Sequence, residues 1–149
     1  MARAPFQVLV FPFHFREEIV KYGLFKRSDE LYWQGIAGGG EAEESPEEAA
    51  IRETMEEASI VRGQLIRLQS MCMIPVVNIS GFRWGPMVLV VPEHSFGYKM
   101  GSEEVQLSYE HSEFGWFSFE EAHNMVKWES NKTALWELNH RVQNNLLEY

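Results

Sequence analysis

The chain has 149 residues, with 22 Asp and Glu against 13 Lys and Arg, a formal net charge of −9. That length fits one domain with a core of its own, so neither a disulfide framework nor a structural metal is needed for stability, and 45% hydrophobic with 23% charged side chains excludes a disordered or coiled-coil chain. The acid excess argues against a nucleic acid polymer as partner, because such an interface draws its affinity from Lys and Arg on phosphates.

Phe6–Phe15, rich in Val and Phe, reads as a strand in which Pro12 marks a bulge or a sheet edge. Its start, Arg3 followed by an apolar run, has no small-residue cleavage site after it and is interrupted by Pro12 and His14, so it is read as strand and not as a signal peptide. A polar turn at Arg16–Glu18 leads to a second strand over Ile19–Phe25, and Trp33 leads into a loop holding Gly35, Gly38, Gly39 and Gly40. A helix starts at Ser45, a good N-cap with Pro46 at the first helical position and Glu48 completing a capping box, and runs through Glu57 or a little beyond. Strand patterns return at Leu65–Val77, Pro86–Val91 and Phe114–Phe117, broken by turns at Asn78–Gly85 and Gly97–Glu104. Ser118 with Glu121 opens a helix to about Trp128, and Asn131 caps a last helix in which Leu135, Leu138, Val142 and Leu146 recur at helical spacing.

Strands around one helix, then strands and two more helices, predict an α/β sandwich with a mixed sheet covered on both faces. No repeat, low-complexity tract or linker divides the chain, so one domain is expected over residues 1–149. The single Cys72, in the apolar stretch Met71–Val77, reads as a buried structural thiol of a reduced, cytoplasmic protein, and no run approaches the length of a membrane span.

The chemistry concentrates between Glu41 and Glu57, where eight glutamates stand against Arg52 alone, a local charge of −7 that leaves the rest of the chain at −2. On a helix, Glu53, Glu56 and Glu57 project from neighbouring points of one face, and the like-charged Glu53/Glu57 pair costs roughly 0.2–0.5 kcal/mol if left alone. Arg52 can bridge to Glu56 but cannot neutralise three carboxylates; a divalent cation of the Mg²⁺ or Mn²⁺ type, which prefers carboxylate oxygens, can. The plainer alternative for such a run is a solvated acidic face.

The surroundings of the run decide between the two. Gly38, then Glu44, then Arg52-Glu53-Thr54-Met55-Glu56-Glu57-Ala58-Ser59-Ile60, at that spacing, resembles the Nudix box, a glycine loop followed by an R-E-x-x-E-E helix. Thr54 replaces the usual aliphatic residue and Ser59 the closing glycine, which puts the geometry of the helix end in question and leaves every carboxylate in place. The resemblance implies a Nudix-type α/β/α sandwich and a hydrolase that cleaves a diphosphate linkage with one or more divalent cations, Mg²⁺ with Mn²⁺ as substitute. By the same resemblance Glu53 and Glu57 are the principal metal ligands and Glu56 a further one, with the carbonyl of Ala37 supplying another oxygen. Arg52 orients Glu53, Glu44 supports Arg52, and Glu53 is the first candidate for general base. Bound cations would offset phosphate charge and acidify a water for attack on phosphorus.

Tyr109-Glu110-His111-Ser112-Glu113-Phe114-Gly115-Trp116 is similar to a segment of the bacterial dihydroneopterin triphosphate diphosphatases, a Nudix subgroup that also hydrolyses dATP; Trp33-Gln34 and Ser130-Asn131 extend the likeness. This implies Glu110 as a distal metal ligand or base, with Glu103 or Glu104 as the fallback. Lys26 and Arg27 could clasp phosphates, with Gly38 and Gly39 at the same substrate site. Trp33, Phe82, Trp84 and Tyr98 either line a ring pocket or fill core, while Trp116, Trp128 and Trp136 are assigned to core; His111 is read as a hydrogen-bonded loop or strand-end residue. The expected substrate is a small nucleotide-like triphosphate, cleaved to pyrophosphate and a monophosphate by a cytoplasmic monomer or homodimer that binds neither nucleic acid polymer nor membrane. A nucleotide sugar as substrate, and a Nudix-fold sensor without catalysis, are the alternatives.

Overall fold

The computed structural model describes residues 3–29, 31–60, 63–79, 84–101, 105 and 111–147. Seven strands and three helices occur among them: β1 (Arg3–Arg16), β2 (Ile19–Arg27), β3 (Trp33–Gln34), β4 (Ile36–Glu41), α1 (Pro46–Ala58), β5 (Gln64–Pro75), β6 (Val90–Lys99), β7 (His111–Phe117), α2 (Phe119–Met125) and α3 (Glu129–Gln143). β1 pairs in parallel with β6 and antiparallel with β2 and β4; β5 extends the sheet beyond β6, and β3 and β7 pair with β2. The sheet is therefore mixed, as its α/β sandwich reading requires.

Period-two alternation divides the two cores. Val8 and Val10 face α1, packing with Ala49, Ala50, Ile36 and Phe96, whereas Leu9, Phe11 and Phe13 face the other layer and meet Ala122 of α2 and Leu135 and Leu138 of α3. Tyr22, fully buried, donates its hydroxyl proton to Asn139 of α3 at 2.8 Å, tying β2 to that layer. No described helix is long and apolar enough to cross a membrane.

Both capping boxes form as the sequence predicts, at Ser45/Glu48 and Ser118/Glu121. The β1–β2 turn is the two residues Glu17 and Glu18, both at positive φ, the backbone that a tight hairpin matched to strand twist demands. Several other expectations are corrected. Pro12 lies in a central strand, where β1 changes neighbour on one side, between Val10↔Ile36 and Phe13↔Tyr22. The glycines read as a loop are mostly strand: Gly38, Gly39 and Gly40 belong to β4, with ordinary negative-φ backbone.

The strand placed at Pro86–Val91 and the loop placed from Gly97 resolve into β6, which runs from Val90 to Lys99 through Pro92 and Gly97. Pro92 precedes the parallel ladder to β1, which starts at Gln7↔Glu93, and a Cβ at Gly97 would come 2.6 Å from Leu138 Cδ1, so glycine serves close helix packing there. β5 stops at Pro75 and a single 3₁₀ turn follows over Val76–Asn78. Likewise α2 ends at Met125 because Val126 leaves it to bridge Trp33. The α3 N-cap is Trp128, without a side-chain cap bond, since Asn131 accepts the Gly35 N–H at 3.0 Å across the fold instead. Trp128 and Trp136 are 43% and 56% exposed, against their core assignment, and Leu146 lies past the end of α3.

β5 carries extra residues opposite β6 between Arg67↔Phe96 and Met71↔His94. The freed N–H groups of Gln69 and Ser70 donate to the Glu137 carboxylate of α3, each at 2.7 Å, and the Ser70 hydroxyl and Arg141 Nε complete a set of four donors. Cys72, read as buried, lies just beyond this clamp and is partly exposed.

Burial alone would raise the Glu137 pKa, but hydrogen bonds from Ser70, Gln69 and Arg141 outweigh it and hold the carboxyl below its ordinary 4.5. A depressed folded pKa contributes stability that is present above the unfolded value and is lost as pH falls through the folded one. Glu137→Gln should therefore cost about 1.5–3 kcal/mol near neutrality and flatten the stability loss below pH 4.5, both measurable by urea unfolding across pH. Ser59, the α1 C-cap, adopts φ 56°, ψ 29°, so the left-handed helix end survives without glycine. Ser59→Gly should stabilise by about 0.5–1 kcal/mol in the same assay, relief of Cβ strain exceeding the added chain entropy.

Candidate active site

The capping box at Ser45 fixes where α1 begins, and hence which face carries Glu53, Glu56 and Glu57. Glu53 and Glu57 are only 8% and 6% exposed, while Glu56 lies at the solvent edge. This burial is possible because the helix lies directly on β4: a Cβ at Gly38 would overlap the Glu53 carboxylate, so the strand needs glycine there for close approach and not for a turn.

Arg52 organises the acids around it. Its Nε and Nη2 donate to the two oxygens of Glu44 at 2.7 and 3.0 Å, Nη2 also to the Gly39 carbonyl at 2.9 Å, and Nη1 to Glu53 Oε1 at 3.0 Å and Glu56 Oε2 at 3.2 Å. Glu44 in turn accepts the Glu41 N–H at 2.7 Å, closing the turn between β4 and α1. The Arg52 hydrogen bond, with that backbone bond, holds the Glu44 carboxyl below its usual value. Burial pushes Glu53 up to about 7, against the pull of Arg52 and with the help of Glu57 and Glu56.

Glu53, Glu56 and Glu57, with Glu41, line a cavity of about 750 Å³, floored by Ala37–Gly40 and flanked by Arg3 and Arg27. Its size is that of a small-molecule site. Arg27 reaches it with its guanidinium held by Asp29 at 2.6 and 2.7 Å; Lys26, one residue earlier on β2, is not in its lining and pairs with Glu113 at 3.7 Å. Arg3, which the sequence reading treated only as the start of a strand, stands against Gly39. Nothing local marks it; its position follows from the Arg3↔Glu41 pairing of β1 with β4.

A second cavity of about 650 Å³ adjoins the first, sharing Gln7, Ala37, Asn78 and Ile79 as walls. Tyr32 and Trp128 line it, edge to face at 5.7 Å. Trp33 does not: it packs into the core beside α2 and α3, against Phe117. Tyr98 is core, and Trp84 donates its indole N–H to the Arg3 carbonyl at 2.9 Å. Sequence reasoning also missed Gln7 and Glu93, which reach the second cavity through strand register. Phe82, Glu103, Glu104 and Glu110 lie outside the described residues, as does the side chain of His111.

The donor set fits a hard divalent cation. Two buried carboxylates share one helix face with a third at its rim, and the nearby Arg52 is committed chiefly to Glu44. Among the described residues no three acidic, His or Cys side chains form a closed metal cluster. Carboxylate oxygens are the ligands that hard divalent cations take.

Residues 7–136 match the NUDIX domain family. A Listeria monocytogenes protein assigned as a NUDIX hydrolase superposes with a TM-score of 0.88 at 42% identity, covering 98% of this chain and 99% of that one. The Escherichia coli dihydroneopterin triphosphate pyrophosphohydrolase shares the fold, with a TM-score of 0.76 at 23% identity over 93% of this chain and 98% of that one. In sequence, the dihydroneopterin triphosphate diphosphatase of Haemophilus influenzae is 26% identical over 116 residues, 75% of this chain and 73% of the relative. Together with the carboxylate face of α1 seated on glycine strand β4, these likenesses establish that the chain belongs to the NUDIX domain family and is a hydrolase of that family.

Proposed function

We propose that this Nudix pyrophosphohydrolase acts, with a divalent cation, on a nucleotide-like triphosphate of the dihydroneopterin triphosphate or dATP type, releasing pyrophosphate and a monophosphate, and that one such domain spans residues 1–149. The observation that carries the reading is the buried Glu53/Glu57 pair at the wall of a cavity of about 750 Å³, with a second compartment beside it. The substrate named for the Haemophilus influenzae relative supports the class.

In this reading Glu53, Glu57 and Glu56 hold Mg²⁺ or Mn²⁺, joined by the Ala37 carbonyl and by Glu110. The cation, when bound, supplies positive charge against the phosphate oxygens and acidifies a water. Glu53 takes the proton of the attacking water: Arg52 fixes its Oε1, which leaves Oε2 for the transfer. Arg3 and Arg27 balance charge on the phosphates, and Gly38 and Gly39, proposed at the substrate site, give Glu53 and Arg3 room to lie against the strand. As water adds to phosphorus, the bridging P–O bond breaks and pyrophosphate departs.

A panel of canonical nucleoside triphosphates, dihydroneopterin triphosphate and nucleotide sugars with Mg²⁺ should give pyrophosphate release from the triphosphates. Glu53→Gln should lower kcat by on the order of 10²-fold or more with an unchanged melting curve. No turnover of any compound, or a Glu53→Gln enzyme equal to wild type, would overturn the reading. Arg52→Lys keeps the charge and loses the fork that spans Glu44, Gly39 and Glu53. It should lower kcat/KM by about 10–100-fold and raise the Mg²⁺ concentration needed for half-maximal rate.

A further inference from the structure

Glu93 of β6 stands in register between Gln7 of β1 and Cys72 of β5, and all three line the second cavity. Its carboxyl is hydrogen-bonded by the Ser130 side chain at the start of α3. Ser130 is held by Asn131, whose Nδ2 approaches its hydroxyl at 3.5 Å and whose Oδ1 accepts the Gly35 N–H at 3.0 Å. The other carboxyl oxygen of Glu93, Oε1, is buried and has no hydrogen-bond partner among the described residues. A buried acceptor left unmet costs the full desolvation of the group, so its retention at a cavity wall calls for a ligand that satisfies it. The terminal torsion of a glutamate is soft, so the carboxyl can turn that acceptor capacity toward the cavity it lines.

We propose that Glu93 reads the ring of the substrate in this second cavity, accepting the paired N–H donors of a 2-amino-4-oxopyrimidine edge, which guanine nucleotides and pterins share. The inference rests on the reading that the first cavity holds the phosphates, and it names the ring at their other end. A ligand can span the two because the cavities share Gln7, Ala37, Asn78 and Ile79. An ionised carboxylate only accepts; this narrows the function proposed above to its pterin arm, because an adenine-type edge would turn a ring nitrogen lone pair toward Glu93, whereas an adjacent amino group and ring N–H offer two donors. Burial holds the Glu93 carboxyl up at about 7 despite Ser130, and two further donors would relieve that cost. The buried amide of Gln34, in the same lining, is the group available to the ring oxygen, and Tyr32 and Trp128 give a flat ring an aromatic wall.

Guanosine triphosphate and inosine triphosphate differ in the 2-amino group alone. The wild-type protein with Mg²⁺ should favour the guanosine compound by roughly tenfold or more in kcat/KM, the scale of one charge-assisted hydrogen bond. In Glu93→Gln, where an amide N–H faces a ligand donor, the ratio should fall toward one; Glu93→Asp, which withdraws the carboxylate by one methylene, is a second variant should the first fail to fold. A dihydroneopterin triphosphate arm shows which of the two ring sources is preferred. Equal use of the guanosine and inosine compounds by the wild type, or a preference that persists in a folded Glu93 variant, overturns the inference while leaving the phosphate chemistry standing. If no triphosphate is turned over, the function above fails, and calorimetric binding of guanosine against inosine to the wild-type protein still decides the role of Glu93.

Discussion

Everything at the candidate site depends on how closely α1 lies on β4. The contact is a carboxylate against a glycine: Glu53 occupies the space in which any side chain at position 38 would stand. Burying a carboxylate is costly unless it is hydrogen-bonded or paired, and the chain answers with Arg52, whose planar fork reaches Glu44, the Gly39 carbonyl and Glu53 together. Glu44 is the anchor that keeps the fork from being drawn wholly to the acids on the helix, because its own position is set by the Glu41 N–H. The turn between strand and helix thus becomes part of the electrostatics of the site.

The parts of this arrangement that sequence could show are those set within a few residues. The capping boxes at Ser45 and Ser118 form as read, since a cap is a local hydrogen bond, and the shared face of Glu53, Glu56 and Glu57 follows from helical periodicity alone. Local reasoning failed wherever a residue serves a distant partner. Gly38–Gly40 look like loop until α1, Arg3 and Phe6 are laid over them; Asn131 looks like a cap until Gly35 claims its oxygen; Gly97 looks like a turn until Leu138 packs on it. Arg3, Gln7 and Glu93 became visible only through strand register, which fixes which residues of separate strands share a row and leaves no trace in any one segment.

The acid excess of the chain also changes meaning in three dimensions. Its −7 between Glu41 and Glu57 is no uniform acidic surface. Glu44 is spent on Arg52, Glu48 on the helix cap and Glu47 on Arg67 at 2.7 Å, each a structural pairing. Glu41, Glu53, Glu56 and Glu57 line a cavity that Arg3 and Arg27 flank from other elements. The charge is sorted by place: Glu44, Glu47 and Glu48 hold the scaffold, while Glu53, Glu56 and Glu57 line the cavity.

The same sorting extends to the buried acids outside the helix. Glu137 collects four donors, lies below its ordinary pKa, and clamps the irregular stretch of β5 to α3; it is a structural carboxylate in full. Glu93, one strand away, has Ser130 alone and lies well above its ordinary pKa. Burial raises both carboxyls, Glu93 on β6 and Glu137 on α3, so burial by itself does not separate them; the count of donors does. His14, buried against the Trp116 ring at 4.3 Å, lines neither cavity. Glu93 belongs to a cavity wall, where turning its soft terminal torsion brings its Oε1 acceptor to a ligand. A fold that supplies four donors to one carboxylate and one to its neighbour has left the second for chemistry that arrives from outside the chain.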